Sequence, residues 1–144
     1  MKEKKILNFF TPKKEKGIGQ WLAEEGISAG FPSPADDFKE TRISLDRELV
    51  RNKEATFYAR VSGDSMIGAG LEDGDLLVID RSTNPENGKI AVCLIDGGFT
   101  VKRIKKERGN FYLIPENSKY KRIKLREDNE LIVWGIVEYV IKKV

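Results

Sequence analysis

The sequence predicts a mostly β protein, in which a compact domain of short antiparallel strands follows an extended N-terminal arm that carries a short helix. Two observations lead to this prediction. From Thr41 onward the chain contains seven short runs rich in β-branched and aromatic residues, separated by turn signals such as Asp-Gly and Asn-Gly. The first forty residues are rich in lysine and contain two closely spaced prolines. The chain of 144 residues is therefore interpreted as one domain with an arm.

The N-terminal arm is predicted over residues 1–40. Apolar residues at i, i+3 and i+4 predict a short amphipathic helix that ends at Gly26. These residues are Ile18, Trp21 and Leu22. Pro32 and Pro34 exclude a helix and favour extended backbone, so residues 28–37 are predicted to form an exposed, stiff linker.

The β domain is predicted over residues 41–144. Its predicted strands are residues 56–61, 76–80, 89–95, 99–104, 111–115, 122–125 and 131–141. Asp96-Gly97-Gly98, between two apolar runs, is the clearest hairpin signal. Many short strands at close spacing favour an antiparallel barrel or sandwich.

The absence of histidine restricts the chemistry that the chain can perform. Ser-His-Asp and Cys-His catalysis are excluded, and so are metalloproteases of the His-Glu-x-x-His type. The base of any covalent hydrolase must then be a lysine, a carboxylate or the chain terminus. Cys93 is the one cysteine; it lies in an apolar run and is predicted to be a core residue.

Charge and hydropathy place the chain among cytoplasmic proteins. The 26 basic and 23 acidic residues give a net charge of +3, which is not the strong basic stripe of a dedicated DNA-binding domain, although a weak or local nucleic-acid contact stays open. No segment is apolar for long enough to cross a bilayer, and no signal-peptide core follows Met1. No cofactor, metal cluster or phosphate-binding loop is indicated.

Three segments stand out as candidates for a functional site. They are Ser62-Gly63-Asp64-Ser65-Met66, then residues 72–79 with the sequence Glu-Asp-Gly-Asp-Leu-Leu-Val-Ile, then Phe99-Thr100-Val101-Lys102-Arg103. Taken singly, each has an ordinary interpretation. Ser65 fits the cap of a short helical turn, and Lys102 fits a strand lysine that faces water.

Taken together and in this order, the three segments resemble the self-cleaving Ser–Lys domain shared by LexA, phage repressors and UmuD. Residues 30–37, Gly-Phe-Pro-Ser-Pro-Ala-Asp-Asp, are similar to UmuD in particular, and so are residues 113–118, Leu-Ile-Pro-Glu-Asn-Ser. The resemblance extends from about Ala29 to the C-terminus. It implies a serine endopeptidase with the fold of that domain.

The resemblance also implies a role for each matching residue. Ser65 would be the nucleophile, Lys102 the general base, and the backbone N–H groups of Asp64 and Ser65 the oxyanion donors. The substrate would be the bond between Ala29 and Gly30 of the chain itself. A free lysine has a pKa near 10.4, so catalysis at neutral pH requires a lower pKa. Burial supplies such a shift, so Lys102 is expected to be substantially buried, with no carboxylate paired to it.

The implied biological role is a switch for DNA damage. Cleavage, stimulated by RecA filaments on single-stranded DNA, would remove residues 1–29. The trimmed homodimer would join a UmuC-type polymerase for error-prone translesion synthesis in the SOS response, without sequence-specific DNA binding of its own. Ile6, Phe9 and Phe10 resemble a sliding-clamp-binding peptide; the alternative is that the two aromatic residues pack the arm onto the domain.

Three alternatives remain at this point. A LexA-like or phage repressor would need a DNA-binding domain, for which the region before Ala29 is too short. Type I signal peptidases also use a Ser–Lys pair but need a membrane anchor. A small β domain that acts only in protein interaction would leave Ser65 and Lys102 without a catalytic role.

Overall fold

The computed structural model describes residues 9–11, 20–23, 27, 29–30 and 40–144. The chain divides into two compact units: Met1–Pro12 with Asn52–Val144, and Lys13–Arg51. The predicted division into an arm over residues 1–40 and a catalytic domain over residues 41–144 concerns function as well as packing, and it stays a prediction.

The larger unit contains one antiparallel sheet, which has eight strands in the described part of the chain. Its spatial order is β1-β4-β5-β10-β6-β7-β8-β9. The strands are β1 (Phe9–Phe10), β4 (Thr56–Arg60), β5 (Leu76–Asp80), β6 (Ile90–Ile95), β7 (Gly98–Glu107), β8 (Asn110–Ile114), β9 (Ile123–Lys124) and β10 (Leu131–Ile141). All seven predicted strands are present, so the mostly β, antiparallel class is confirmed.

Hydrophobic residues explain why β5, β6 and β10 lie at the centre of the sheet. Leu77, Ile79 and Val92 are fully buried in one apolar cluster. Ala91 and Cys93, which alternate with Val92 along β6, belong to a second cluster. Since successive residues of a strand point to opposite faces, the sheet is covered by apolar side chains on both faces at β6.

The β6–β7 hairpin determines where Lys102 lies. Ile95 pairs with Gly98 across the turn at Asp96 and Gly97, as predicted. The same register places Lys102 opposite Ala91, whose side chain is fully buried. The hairpin therefore places Lys102 in a buried part of the sheet rather than at an exposed edge.

The smaller unit contains a two-stranded sheet and a helix among its described residues. β2 (Gln20–Ala23) pairs antiparallel with β3 (Glu40–Ile43), and α1 (Leu45–Leu49) follows β3. The helix predicted to end at Gly26 is wrong at Gln20–Ala23, which is a strand; the remainder of that predicted helix lies outside the described residues. A pattern of three apolar residues spans about one helical turn, too short to be stable alone, whereas the pairing with β3 satisfies the backbone.

Two short 3-10 helices flank β4. They are Lys53–Ala55 before the strand and Ile67–Ala69 after the loop that follows it. No helix within the described residues is both long and apolar enough to cross a membrane.

Candidate active site

The loop that carries Ser65 follows β4 and makes a sharp turn. Gly63 has a φ of 92°, in the left-handed region that glycine adopts without steric cost, and its N–H donates to Asp73 Oδ1 at 2.8 Å. Ser65 is only 7% exposed. The N-cap position of the 3-10 helix after it is Met66 rather than Ser65, and no side chain caps that helix, which argues against the capping interpretation.

Lys102 is buried, as the sequence predicts for a base. Its exposed fraction is 5%, and its strand neighbour Val101 is 8% exposed. Two successive strand residues are buried together only where both faces of the strand are covered. The alternative in which Lys102 faces water is therefore excluded.

Ser65 and Lys102, 37 residues apart in sequence, are in direct contact. Lys102 Nζ lies 3.0 Å from Ser65 Oγ, 2.8 Å from Thr100 Oγ1 and 3.0 Å from the Val101 carbonyl oxygen. A neutral amine has two hydrogens and one lone pair. It can donate to Thr100 and to the Val101 carbonyl while accepting the Ser65 hydroxyl proton, which is the arrangement that general-base catalysis requires.

The cleft around this contact is mostly apolar. Among its lining side chains are Val61, Met66, Leu71 and Phe99. An apolar environment disfavours an ammonium ion, because a buried charge loses its hydration. The surroundings of Lys102 therefore favour the neutral amine that a base must be.

Cys93 is not a second nucleophile. Its side chain is fully buried, and this burial raises the pKa of the Cys93 thiol to about 11. At neutral pH the group stays a thiol, which is a weak nucleophile. Cys93 is thus a core residue, as its apolar sequence context predicts.

A segment after β8 holds the Ser65 loop in place. The Glu116 N–H donates to the Ser65 carbonyl at 2.8 Å, and the Gly68 N–H donates to the Glu116 carbonyl at 2.7 Å. Asn117 Nδ2 donates to the Asp64 carbonyl at 2.9 Å, and the Tyr120 hydroxyl donates to the Asp64 carboxylate. The backbone carbonyls of Asp64 and Ser65 are therefore held by residues about 50 positions later in the chain.

Two further contacts restrict this arrangement. A Cβ at Gly68 would lie 2.6 Å from the Glu116 carbonyl oxygen, so only glycine allows the two segments to approach this closely. Arg103 Nε donates to Glu116 Oε1 at 2.5 Å. Because Arg103 follows Lys102 on β7, Glu116 links the strand of the lysine to the loop of the serine.

The contact of Asn117 has a consequence for the oxyanion donors. The carbonyl of Asp64 and the N–H of Ser65 belong to one peptide unit, and in a trans peptide they point in opposite directions. By holding the Asp64 carbonyl, Asn117 sets the direction of the Ser65 N–H. The sequence analysis assigned no role to Glu116, Asn117 or Tyr120. The similarity of residues 113–118 to UmuD was a signal for the first two of them.

The acidic residues 72–75 support the loop from the other side. The Val61 N–H donates to the Asp75 carbonyl, and the Gly74 N–H donates to the Val61 carbonyl, both at 2.8 Å. The Asp75 carboxylate accepts the Glu72 N–H at 2.8 Å and a bond from Lys142 Nζ. Burial raises the pKa of Asp75, but these two bonds and the Lys142 charge outweigh it, so the pKa lies below its usual value.

The described part of the chain contains no group of three or more His, Cys, Asp or Glu side chains that could hold a metal ion.

The predicted cleavage site lies in the other unit. Ala29 and Gly30 are both exposed, and a Cβ added to Gly30 would meet no atom within 4 Å. Their assignment as the cleaved bond stays a prediction.

The predicted clamp-binding residues are only partly described. Phe9 and Phe10 form β1 and pair with Ala59 and Tyr58 of β4, so their backbone is part of the main sheet. Ile6 lies outside the described residues, and clamp binding stays a prediction.

Comparison with known proteins identifies the family. The sequence model of the family described as Peptidase S24-like matches residues 22–138. Protein ImpA of Salmonella typhimurium is 37% identical over 123 residues, which cover 85% of this chain and 83% of ImpA. Protein MucA of Escherichia coli is 41% identical over 114 residues, which cover 78% of this chain and 77% of MucA. The LexA repressor of Streptomyces avermitilis is 40% identical over 118 residues, covering 82% of this chain but 49% of the repressor.

An antiparallel sheet with a buried serine and lysine in contact is the arrangement expected of a self-cleaving serine peptidase domain. The chain belongs to the Peptidase S24-like family, and within it to the UmuD-like, self-cleaving proteins of SOS mutagenesis. The LexA-like alternative has weaker support, since the match spans only about half of that repressor. Family membership also favours a peptidase over a domain that acts only in protein interaction.

Proposed function

We propose that Ser65 and Lys102 are the catalytic dyad of autoproteolysis, and that the chain cuts itself between Ala29 and Gly30. The observation that carries this proposal is the 3.0 Å contact between Lys102 Nζ and Ser65 Oγ, formed by two side chains that are both more than nine-tenths buried. A buried lysine in contact with a buried serine is not explained by stability, because two apolar side chains of similar size would fill the same space without a desolvation penalty.

The reaction begins when neutral Lys102 takes the Ser65 hydroxyl proton as Oγ attacks the Ala29 carbonyl carbon. The resulting oxyanion accepts hydrogen bonds from the backbone N–H groups of Asp64 and Ser65. The bond between Ala29 and Gly30 then breaks, and the Lys102 ammonium returns its proton to the departing Gly30 amine. Water, deprotonated by Lys102, hydrolyses the Ser65 ester of Ala29 and regenerates the hydroxyl.

Asn117 contributes as a positioning residue. It holds the Asp64 carbonyl and thereby directs the Ser65 N–H, one of the two proposed oxyanion donors. A preorganised donor of this type is worth about 3–4 kcal/mol of transition-state stabilisation, so its orientation matters to the rate.

Two properties of the substrate segment support the proposed cleavage site. Ala29 and Gly30 are exposed, so the peptide bond is accessible. Their side chains are the smallest available, which suits entry into a narrow apolar cleft beside a buried serine. Gly30 also permits the backbone conformations that a bent substrate needs.

Membership in the UmuD-like group supports the biological setting that we propose. RecA filaments on single-stranded DNA stimulate the cut, and residues 30–144 form a homodimer in the cytoplasm that joins a UmuC-type polymerase in translesion synthesis. Removal of residues 1–29 is the switch between the two states of the protein.

The proposal is tested by incubating the purified full-length chain with RecA, nucleotide and single-stranded DNA, followed by intact-mass measurement. We expect two products, residues 1–29 and residues 30–144. Ser65→Ala should give no products, whereas Ser82→Ala, a change at an exposed serine outside the cleft, should be cut as the unchanged chain is. A cut at another bond, or cutting of Ser65→Ala, would contradict the proposal.

A further inference from the structure

Positive charge is concentrated in one part of the chain. Residues 103–126 contain nine of the 26 basic residues but only two of the 23 acidic residues. Since the whole chain carries a net charge of +3, the remainder is net acidic. These residues span the second half of β7, all of β8 and β9, and the connections between them, at one edge of the main sheet.

Strand register places part of this charge on one face. Lys105 of β7 pairs with Tyr112 of β8, and Tyr112 pairs with Lys124 of β9. Directly paired residues project from the same face of a sheet. Neighbouring strands lie about 4.8 Å apart, so the two lysines stand about 10 Å apart with the tyrosine between them. Both lysines are exposed.

An arginine stacked on the tyrosine extends this face. Arg122 Cζ lies 4.4 Å from the centroid of the Tyr112 ring. We call Lys105, Tyr112, Arg122 and Lys124 the basic face. Glu107 lies beside the basic face, and its Oε2 is 3.6 Å from Lys105 Nζ and 3.8 Å from Arg122 Nη1. These side chains are about half exposed, so the pairs neutralise little of the charge in solution.

Further basic residues on the connections next to these strands add to the positive charge of this region. All of them are exposed: Arg108, Lys119, Lys121 and Arg126. The guanidinium over the Tyr112 ring distinguishes this region from an ordinary solvated lysine surface, because it adds an aromatic ring and a planar cation to the exposed charges.

We propose that the basic face binds single-stranded nucleic acid through its phosphate backbone, without reading sequence. The exposed cations provide contacts for phosphate groups. The Arg122–Tyr112 stack matches an unpaired base, since bases of a single strand stack on aromatic rings and guanidinium planes. A duplex keeps its bases stacked internally, so it would use the cations but not the stack.

Binding of a fluorescent oligothymidine of about 16 nucleotides to the full-length chain, followed by anisotropy over a range of salt concentrations, tests this proposal. We expect the logarithm of the binding constant to fall linearly with the logarithm of salt concentration. Lys124→Gln should reduce the magnitude of that slope by about 0.7. Tyr112→Leu should weaken binding about fivefold or more without changing the slope.

Lys53→Gln is the matched control, because it removes one exposed charge outside residues 103–126 and should leave binding unchanged. Three outcomes would overturn the proposal. The first is no binding at low salt, and the second is an equal loss of affinity in Lys53→Gln and Lys124→Gln. The third is that polyglutamate displaces the fluorescent strand as effectively as unlabelled oligothymidine does, while Tyr112→Leu binds as tightly as the unchanged chain. The last outcome would indicate an acidic protein partner. The measurement does not depend on self-cleavage, so its failure leaves the catalytic proposal intact.

Discussion

The proposed catalytic pair and the proposed cleavage site occupy opposite kinds of environment. Ser65 and Lys102 are 7% and 5% exposed, and both side chains and the backbone around them are fixed by hydrogen bonds. Ala29 and Gly30 are exposed, and a Cβ added to Gly30 would meet no atom of the described residues beyond its chain neighbours within 4 Å. The first region therefore has a fixed geometry, and the second is accessible.

This difference suggests where the reaction is regulated. A preorganised dyad needs no change in its own structure to react, whereas an exposed peptide must lose conformational freedom when it enters a narrow cleft. We therefore expect the cleavage rate to be limited by delivery of the substrate segment rather than by formation of the dyad. A stimulator such as the RecA filament would act on that step.

The largest effect is expected from removing the base. Lys102→Met keeps an unbranched apolar chain in a buried position but cannot accept a proton, so self-cleavage should fall by about 10⁴-fold or more. The cleaved fraction, measured by intact mass at pH 7 and pH 10, should stay at the detection limit at both values. Lys89→Met, at an exposed lysine outside both the cleft and the basic face, is the control and should cleave normally. Appreciable cleavage of Lys102→Met at pH 10 would mean that another group is the base.

The second effect concerns the substrate side of the comparison. Gly30→Leu adds a bulky side chain next to the proposed bond, and we expect cleavage to slow by about 100-fold because that side chain would hinder placement of the bond at the buried Ser65. The free energy of unfolding should change by less than about 0.5 kcal/mol, since the residue is exposed. Asp46→Leu, at another exposed position of the same unit, should leave the cleavage rate unaltered. Normal cleavage of Gly30→Leu would place the cut elsewhere.

A smaller effect is expected from Asn117. Asn117→Ala removes the donor to the Asp64 carbonyl, so the Ser65 N–H is held less firmly and cleavage should slow by about tenfold. Asn117→Asp should behave similarly, because a carboxylate cannot donate. The pH dependence of the rate should be unchanged, since the surroundings of Lys102 are the same. A changed pH profile, or an equal loss in the exposed control Asn84→Ala, would contradict the assigned role.

The smallest effect is on stability, through Asp75 and Lys142. The Lys142 bond helps to hold the pKa of Asp75 below its usual value, so the pair stabilises the fold above about pH 4 and this contribution is lost as pH falls further. Asp75 in turn raises the pKa of Lys142, so the contribution is also lost as pH rises above the usual lysine range. Lys142→Ala should lower the denaturation midpoint more at pH 7 than at pH 3.

Urea titrations at the two pH values, with Lys143→Ala as the neighbouring control, would measure this difference. A loss of stability in Lys142→Ala that is as large at pH 3 as at pH 7 would show that Lys142 acts through packing rather than through its charge.

Local patterns were sufficient to predict the strands of the main sheet but not its long-range contacts. β5 (Leu76–Asp80) and β10 (Leu131–Ile141) begin and end at the predicted residues, because apolar runs bounded by turn residues determine them. The strand at Gln20–Ala23 was missed, since its partner Glu40–Ile43 lies beyond an intervening segment with two prolines. The local sequence of two distant segments contains little information about whether the segments pair with each other.

The same limit applies to the candidate site. The pairing of Ser65 with Lys102 came from the resemblance, because neither residue stands out from its ordinary interpretation alone. Asn117 and Glu116 were part of a recognised motif, but their contacts with Asp64 and Ser65 depend on how two loops meet in space. Sequence spacing does not encode such a contact.

The most direct test of the central claim is the intact mass of the purified chain held at pH 10 without RecA, compared with the Ser65→Ala chain under the same conditions. High pH neutralises lysine, so a preformed Ser65–Lys102 dyad should cut the unchanged chain slowly into residues 1–29 and 30–144, while the Ser65→Ala chain stays whole. If the unchanged chain also stays whole, or if both chains are cut, Ser65 and Lys102 are not the dyad.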